Sequence, residues 1–408
     1  MKKIISIILT LSLIMTCCML AGMTVSAAES DFTYSATSAT TAEITGYKGT
    51  SANVSVPSTI GGLTVMGIGK QAFYQNKTIE KVTIPSGVTY IGDKAFAGSY
   101  IKTVSIPDTV MVMGNSAFSY CIYLTDVTLS KGAKTISNNC FSNCTRLESI
   151  VIPEGVTTIA TGAFENCTHL AEITLPSTLK TIDTYGFAYT DFTELILPEG
   201  LETIGSFAFF LCPKLKAVTF PSTLKTIDDW AFCSCSALKN LNFSIKGSLE
   251  TIGDNAFDSC PLGITILPAS VTSIGDYAMG YYYSNETFDY VKYGSFSVVC
   301  TEGSAALDYA ANNNFPYNIY TVDTPTEPNT SEPVTSEPTT SEPEAKYELG
   351  DVNLDGKVNI KDATAIQKHL ASLESLSEEG LAVADYDADN RLSVKDATAI
   401  QKVLAGIV

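Results

Sequence analysis

The segment LAEITLPSTLKTIDTYGF, residues 170–187, is one unit of a repeating architecture. Ile173 and Leu175 alternate with Thr174, the period-2 pattern of a short strand with one buried face. Pro176 ends that strand, because proline cannot donate to a central ladder. Leu179 and Ile182 return the chain to the interior, and Phe187 closes the unit. So short a unit cannot bury its own apolar face and needs neighbours on both sides.

Those neighbours are present. The closing residue recurs at Phe73, Phe96, Phe118, Phe141, Phe164, Phe187, Phe209, Phe232, Phe257 and Met279, in steps of 22 to 25 residues. A fixed period near 23 is the signature of a solenoid. The strand and core places are refilled by Val82, Ile84 and Ile91, and later by Val218, Phe220, Leu224 and Ile227. Ile91, Ile136, Ile159, Ile182, Ile204, Ile227, Ile252 and Ile274 form an inward ladder. Thr83, Ser105, Thr128, Thr174 and Thr219 take an alternate place and are expected to face outward, where β-branched hydroxyl residues suit a sheet.

Six cysteines share the column three residues after the closing aromatic: Cys121, Cys144, Cys167, Cys212, Cys235 and Cys260. The favoured reading is a buried ladder of small apolar side chains. The alternative is disulfides between adjacent units, whose spacing of about 4.8 Å is within reach of one. Asn76 and Ser99 hold the same place in other units, so pairing is not a requirement of the architecture.

The pattern across Ile152 to Leu170 closely resembles the short bacterial leucine-rich repeats of the BspA-like type. Residues 42–49 with Val56 and Pro57 resemble that family's opening segment, and residues 304–317 its closing helix. The resemblance spans about residues 31–322 and implies an α/β leucine-rich-repeat solenoid of about ten repeats, short strands joined by turns. It also implies adhesion or protein interaction rather than one defined ligand. Departures are local: Leu129-Ser130 and Phe243-Ser244 lack the proline, and Tyr281 to Tyr293 is an insertion. Tyr120, Tyr123, Tyr189, Trp230 and Tyr281 to Tyr283 are candidate ligand-stacking aromatics, or they pack under the turns.

Composition narrows the function. The 408-residue chain has a formal net charge of −18, which disfavours nucleic acid and anionic membrane surfaces as partners. His169 and His369 are the only histidines, which weakens histidine-based catalysis and most zinc-enzyme readings. Lys2 and Lys3, the apolar run Ile4 to Leu20 and the small residues of Val25-Ser26-Ala27 read as a signal peptide over residues 1–27. Residues 28–322 are then the capped solenoid. Residues 323–346, rich in Pro, Thr, Ser and Glu, are a spacer too polar to fold.

Residues 347–408 hold two similar loops. Each runs into the octapeptide KDATAIQK, at 361–368 and 395–402. Asp or Asn at positions 1, 3 and 5 of a twelve-residue loop is a calcium arrangement, because that spacing folds several oxygens around one point. The first loop offers Asp351, Asn353, Asp355, the carbonyl of Lys357, Asn359 (directly or through water) and Asp362. The second offers Asp385, Asp387, Asp389, the carbonyl of Arg391, Ser393 and Asp396. A helix is expected after each loop, with apolar stripes at Ile366 and Leu370 and at Ile400 and Leu404. Calcium, as two ions, is expected to supply much of the folding free energy of so small a unit.

This tail resembles a type I dockerin, a small all-α calcium-binding domain with paired EF-hand-like loops. The resemblance implies docking onto a cohesin domain of a scaffoldin within a cellulosome, and so an association with polysaccharide degradation. By position it places the cohesin contacts at Ile360, Lys361, Val394 and Lys395, joined by Gln367, Lys368, Gln401 and Lys402. Because the two halves nearly repeat, symmetry implies that either half can face the cohesin.

The repeat, its caps and the insertion fill residues 31–322, leaving no room for a catalytic domain. Glu148, Glu172 and Glu194 recur at a polar place and read as solvated surface rather than as a glycosidase pair. The expected function is a secreted, non-catalytic cellulosome component whose repeats bind a protein or polysaccharide. An inhibitor or regulator of the complex and a structural spacer are the alternatives.

Overall fold

Each repeat lays down two short strands where the sequence pattern indicates one. The computed structural model describes residues 27–321 and, in the tail, Val352, Ala365, Ile366, Leu376 and Ala384. The chain divides into two compact units, Met1–Thr324 and Pro325–Val408. In the first unit the expected strand is present, as at Glu172–Thr174, which pairs in parallel with Ser149–Val151. Its Thr174 faces outward, as do Thr83, Ser105, Thr128 and Thr219. The second strand is two residues long, as at Thr181–Ile182. It belongs to a seven-stranded parallel ladder running from Thr135–Ile136 to Ser273–Ile274. The isoleucine points inward and the threonine outward, so this ladder is the predicted isoleucine column seen from the backbone.

After the second strand the chain passes through consecutive turns around the closing aromatic. Two residues per repeat are left-handed here, one two places before the ring and one two places after it. Asn139 (φ 54°) and Asn143 (φ 62°) flank Phe141 in this way. The turns stack as the strands do. Phe141 N donates to Ala163 O at 2.8 Å and Phe164 N to Gly186 O at 2.9 Å, so the backbone of the turns is satisfied from one repeat to the next.

The core is a column of phenylalanines. Phe141, Phe164 and Phe187 are buried, with ring centroids 5.4 and 5.3 Å apart and planes within 6° of parallel. The strand repeat sets this spacing and leaves the rings no room to turn edge-on. Tyr47 covers the first ring of the column at 5.8 Å from Phe73. At the other end the Tyr309 hydroxyl donates to Met279 O at 2.7 Å and accepts from Met279 N at 2.9 Å.

Both expected caps are present. Phe32–Ala36 and Thr41–Tyr47 form an antiparallel hairpin that adds Leu63–Ile68 in parallel, in a sheet that runs on through Tyr90–Ile91 to Val112–Met113. The closing helix is Ala305–Asn312, with the Ser304 hydroxyl accepting from Leu307 N at its start. Within residues 27–321 the only other helix is a 3-10 turn at Glu29–Asp31. The helical share of this unit therefore lies in its ends and not in its repeats. The insertion forms a hairpin, Tyr281–Ser284 against Asp289–Lys292. Where proline is missing at Ser130, its buried hydroxyl donates to Val110 O and accepts from Gly132 N, holding the turn another way.

The nine cysteines between residues 121 and 300 are free and buried. In the column each thiol donates to the carbonyl of a closing phenylalanine one repeat earlier, as Cys144 Sγ does to Phe118 O at 3.2 Å. Thr190, in the same place, also donates to a closing-residue carbonyl, that of Phe187 in its own repeat, at 2.8 Å. The site asks for a small side chain with a donor, and cysteine supplies both with little polarity. Burial pushes the Cys121 and Cys167 thiols up to about 12. Thiols with such values stay protonated at pH 8, and the thiolate is the reactive form. Ellman's reagent at pH 8 is therefore expected to find these column thiols silent in the native chain and fully reactive after denaturation. Rapid native reaction would show the column to be open.

Candidate functional site

The predicted calcium and cohesin residues belong to the tail. Asp351, Asn353, Asp355, Lys357, Asn359, Asp362, Asp385, Asp387, Asp389, Arg391, Ser393 and Asp396 all lie outside the described residues, as do Ile360, Lys361, Gln367, Lys368, Val394, Lys395, Gln401 and Lys402. So do residues 1–26 of the leader and residues 322–350, which take in the spacer. Within the second unit, Val352, Ile366 and Ala384 are buried. Val352 sits at position 2 of the first loop and Ile366 on the apolar stripe after it, so apolar positions next to the predicted ligands contribute to a core.

In the solenoid, the sheet face is mostly hydroxyl and charged. Glu148, Glu172 and Glu194 are exposed there, as their solvated reading requires. The exposed apolar exceptions are Val151, Ile196 and Ile266, 63%, 79% and 41% exposed in a column mostly held by threonine and serine.

The turn edge has more chemical character. It carries a groove of about 530 Å³ lined by Tyr120, Ser142, Asn143, Glu165, Asn166 and Tyr189, with Ser116, Ser119 and Asn139 at its margin. Tyr120, Asn143, Asn166 and Tyr189 occupy one column, the left-handed place two residues after the ring, with φ of 57°, 62°, 59° and 61°. Asparagine suits that backbone, whereas a bulky aromatic residue does not. The amides form a short ladder. Asn166 Nδ2 donates to Asn143 Oδ1 at 2.5 Å, and Asn143 Nδ2 donates to Ser142 Oγ at 2.8 Å. Burial raises the Glu165 carboxyl beside them above the usual carboxylate range.

Past Tyr189 the edge becomes aromatic. Tyr185, Phe207 and Trp230 stack with centroids 4.9 and 6.0 Å apart and planes within 8°. Phe210 meets both Phe207 and Tyr189 edge-on at 5.6 Å. These three stacked residues hold the other left-handed place, two before the ring, which Gly162 fills in the preceding repeat. Beyond Trp230 the same column continues with Asn255, whose buried Oδ1 has no partner, near Asp258, whose Oδ1 is likewise unpaired. Burial raises the Asp258 carboxyl, and Cys233 Sγ approaches its Oδ2 at 3.7 Å.

Of the aromatics singled out in the sequence, the structure brings Tyr120, Tyr189 and Trp230 to this edge. Tyr123 instead packs edge-on against Tyr100, with Arg146 over its ring at 4.9 Å. Tyr281 is not a surface residue. It is buried against the end cap, with its hydroxyl donating to Asn313 Oδ1, because the insertion folds back over the last repeat. Tyr283 on the same hairpin remains exposed. Sequence reasoning missed Ser142, Asn143, Glu165 and Asn166. The available signal was the alignment of columns, which sets Tyr120 and Tyr189 among small and amide residues at a glycine-favouring place.

Among the described residues no group of three or more His, Cys, Asp or Glu side chains is arranged to hold a metal, and no helix is long and apolar enough to cross a membrane.

Comparison with known proteins gives two family matches. The BspA type leucine rich repeat region matches in 6 copies across residues 66–192 and 157–286. The dockerin type I domain matches residues 349–405. No curated protein matches the chain. Among solved structures, a leucine rich cell surface protein from Faecalibacterium prausnitzii is 24% identical, with 71% of this chain and 94% of that one covered and a TM-score of 0.46. A leucine-rich repeat protein from Bacteroides ovatus is 19% identical, with 71% and 98% covered and a TM-score of 0.44. The pneumococcal vaccine antigen PcpA is 19% identical, with 71% and 97% covered and a TM-score of 0.36.

Proposed function

The chain belongs to the BspA type leucine rich repeat family, and from that membership, with a dockerin type I domain after the repeats, we propose a non-catalytic interaction module that is plugged into a larger assembly through its tail. The observation that carries this reading is the dockerin match over residues 349–405, which takes in both twelve-residue loops. The tail docks onto a cohesin of a scaffoldin and holds two calcium ions. Asp351, Asn353, Asp355, Asn359 and Asp362 bind one ion, with the carbonyl of Lys357. Asp385, Asp387, Asp389, Ser393 and Asp396 bind the other, with the carbonyl of Arg391. Residues 1–27 direct export, residues 323–346 separate the modules, and the solenoid presents the binding surface. Placed in a cellulosome, such a module serves polysaccharide degradation by bringing a ligand to the complex rather than by cleaving it.

The test is capture of the full chain on an immobilised type I cohesin. Cohesin recognition falls at Ile360 with Lys361 in one half and at Val394 with Lys395 in the other. The double change Ile360→Ala with Lys361→Ala is expected to leave capture within about threefold, because the second half takes over, as linked sites of equal affinity predict. Changing both halves together is expected to abolish it. Loss of all capture from the first half alone would rule out a two-way docking mode. No capture by the unmodified chain on a panel of type I cohesins would overturn the docking reading itself.

A further inference from the structure

We propose that the turn-edge groove between Tyr120 and Tyr189 binds a neutral polysaccharide chain laid along the solenoid axis. The proposal rests on the reading of the solenoid as the ligand-binding half and names the surface and the ligand class.

Three observations carry it. The first is the chemistry of the lining. Ser142, Asn143 and Asn166 supply donors and acceptors together, which matches hydroxyl groups that both give and accept hydrogen bonds. No Lys or Arg lines the groove, and the chain carries a net charge of −18, so an anionic polymer is disfavoured. The groove also offers no open strand edge for an extended peptide, because its floor is made of turns already bonded from repeat to repeat.

The second is where the aromatics sit. Tyr120 and Tyr189 are 60% and 36% exposed. Both hold left-handed backbone that costs a bulky L-residue on the order of 1–2 kcal/mol. Their column neighbours Gly98, Asn143 and Asn166 suit that conformation. Gln75, Leu211, Ser234 and Ser259 hold the same place elsewhere, so the turn itself imposes the conformation, but Tyr120 exposes a ring there that no other aromatic packs against. A flat ring turned to solvent at each end of a hydroxyl- and amide-lined trough suits the C–H face of a pyranose.

The third is spacing. Tyr120, Asn143, Asn166 and Tyr189 belong to successive repeats, and stacked repeats advance by about 4.8 Å each. That advance is close to the length of one sugar unit in an extended β-linked chain. Successive sugars therefore meet side chains at equivalent places, a ring at each end and an amide at the two between, which a flexible or branched ligand would not. The stacked column of Tyr185, Phe207 and Trp230 begins in the repeat of Tyr189, meets it through Phe210 and carries the aromatic surface two repeats further.

The experiment is affinity electrophoresis of the full chain in gels containing mixed-linkage β-glucan, hydroxyethyl cellulose or polygalacturonate, with cohesin capture measured on the same samples. The unmodified chain is expected to be retarded by a neutral glucan and not by polygalacturonate. Tyr120→Asn and Tyr189→Asn remove a ring while suiting the left-handed backbone; thermal unfolding of Tyr120→Asn should match or exceed that of the unmodified chain, and that of Tyr189→Asn, which also loses the edge contact with Phe210, should stay close to it. Each is expected to weaken retardation roughly tenfold, the effect of losing an aromatic hot spot, and the pair to abolish it. Tyr34→Ala, an exposed ring away from the groove, is expected to change nothing. Equal retardation of the unmodified and paired-variant chains would overturn the proposal, as would retardation by polygalacturonate alone or by none of the three. So would tyrosine-dependent capture of a secreted protein in the absence of glucan binding, which would reassign the groove to protein. A chain that captures cohesin but ignores all glucans overturns only this inference. One that binds glucan but not cohesin overturns only the docking reading.

Discussion

Chelation of calcium is expected to abolish capture of the full chain by cohesin while leaving the thermal unfolding of the solenoid unchanged. A tail of roughly sixty residues is too small to fold on apolar burial alone. On the proposed calcium reading, the carboxylates that the sequence sets at alternate positions of each segment repel one another until a cation is bound, which couples ion binding to folding. The solenoid draws its stability from another source, a continuous column of buried rings. Excess chelator should therefore split the chain's behaviour. Circular dichroism should keep the high-temperature transition of the repeats, and surface plasmon resonance should lose the cohesin signal completely. Restoring calcium should return it. Asp351→Ala or Asp385→Ala is expected to weaken calcium retention, read by calorimetric titration. Docking that survives excess chelator would mean that the loops are not calcium sites.

The second large effect lies in the ring column. Phe164→Ala is expected to cost about 3–5 kcal/mol, the range for truncating a buried phenylalanine. Phe164 is fully buried and stacks on Phe141 and Phe187 at 5.4 and 5.3 Å. In a repeat array each unit is held only by its neighbours, so a central gap weakens the coupling between the two halves as well as one site. Guanidinium unfolding should consequently show a lower midpoint and a shallower slope. Trp230, the single tryptophan, lies on the C-terminal side of the gap. Its fluorescence should report a different midpoint from circular dichroism of the whole chain. A single coincident transition with a loss under about 1 kcal/mol would show that the column is not the structural spine.

Much of the fold was legible because its signals are local and repeated. The spacing of Phe73 through Met279, the inward isoleucines and Pro176 each follow from one unit and recur in the others. The second strand was not legible, since a Thr-Ile pair is too short for alternation to show. Its partner repeats turn it into a strand by supplying backbone on both sides. The sequence left Tyr281 between a surface and a packed role because its burial depends on the path of the insertion after it, which a column alignment does not contain. For the cysteines, either reading fitted the spacing. Their pattern of thiol-to-carbonyl bonds could come only from how consecutive turns stack.

Period, core composition and the oxygen spacing of the two tail loops reside in residues close together in the chain, so they can be read from its order alone. The groove is of another kind. Tyr120, Asn143, Glu165 and Tyr189 come from four separate repeats and meet because turns stack at one spacing with a left-handed residue at each step. A surface made across repeats depends on the pitch and the turn geometry of the stack, and these exist only once the chain has folded.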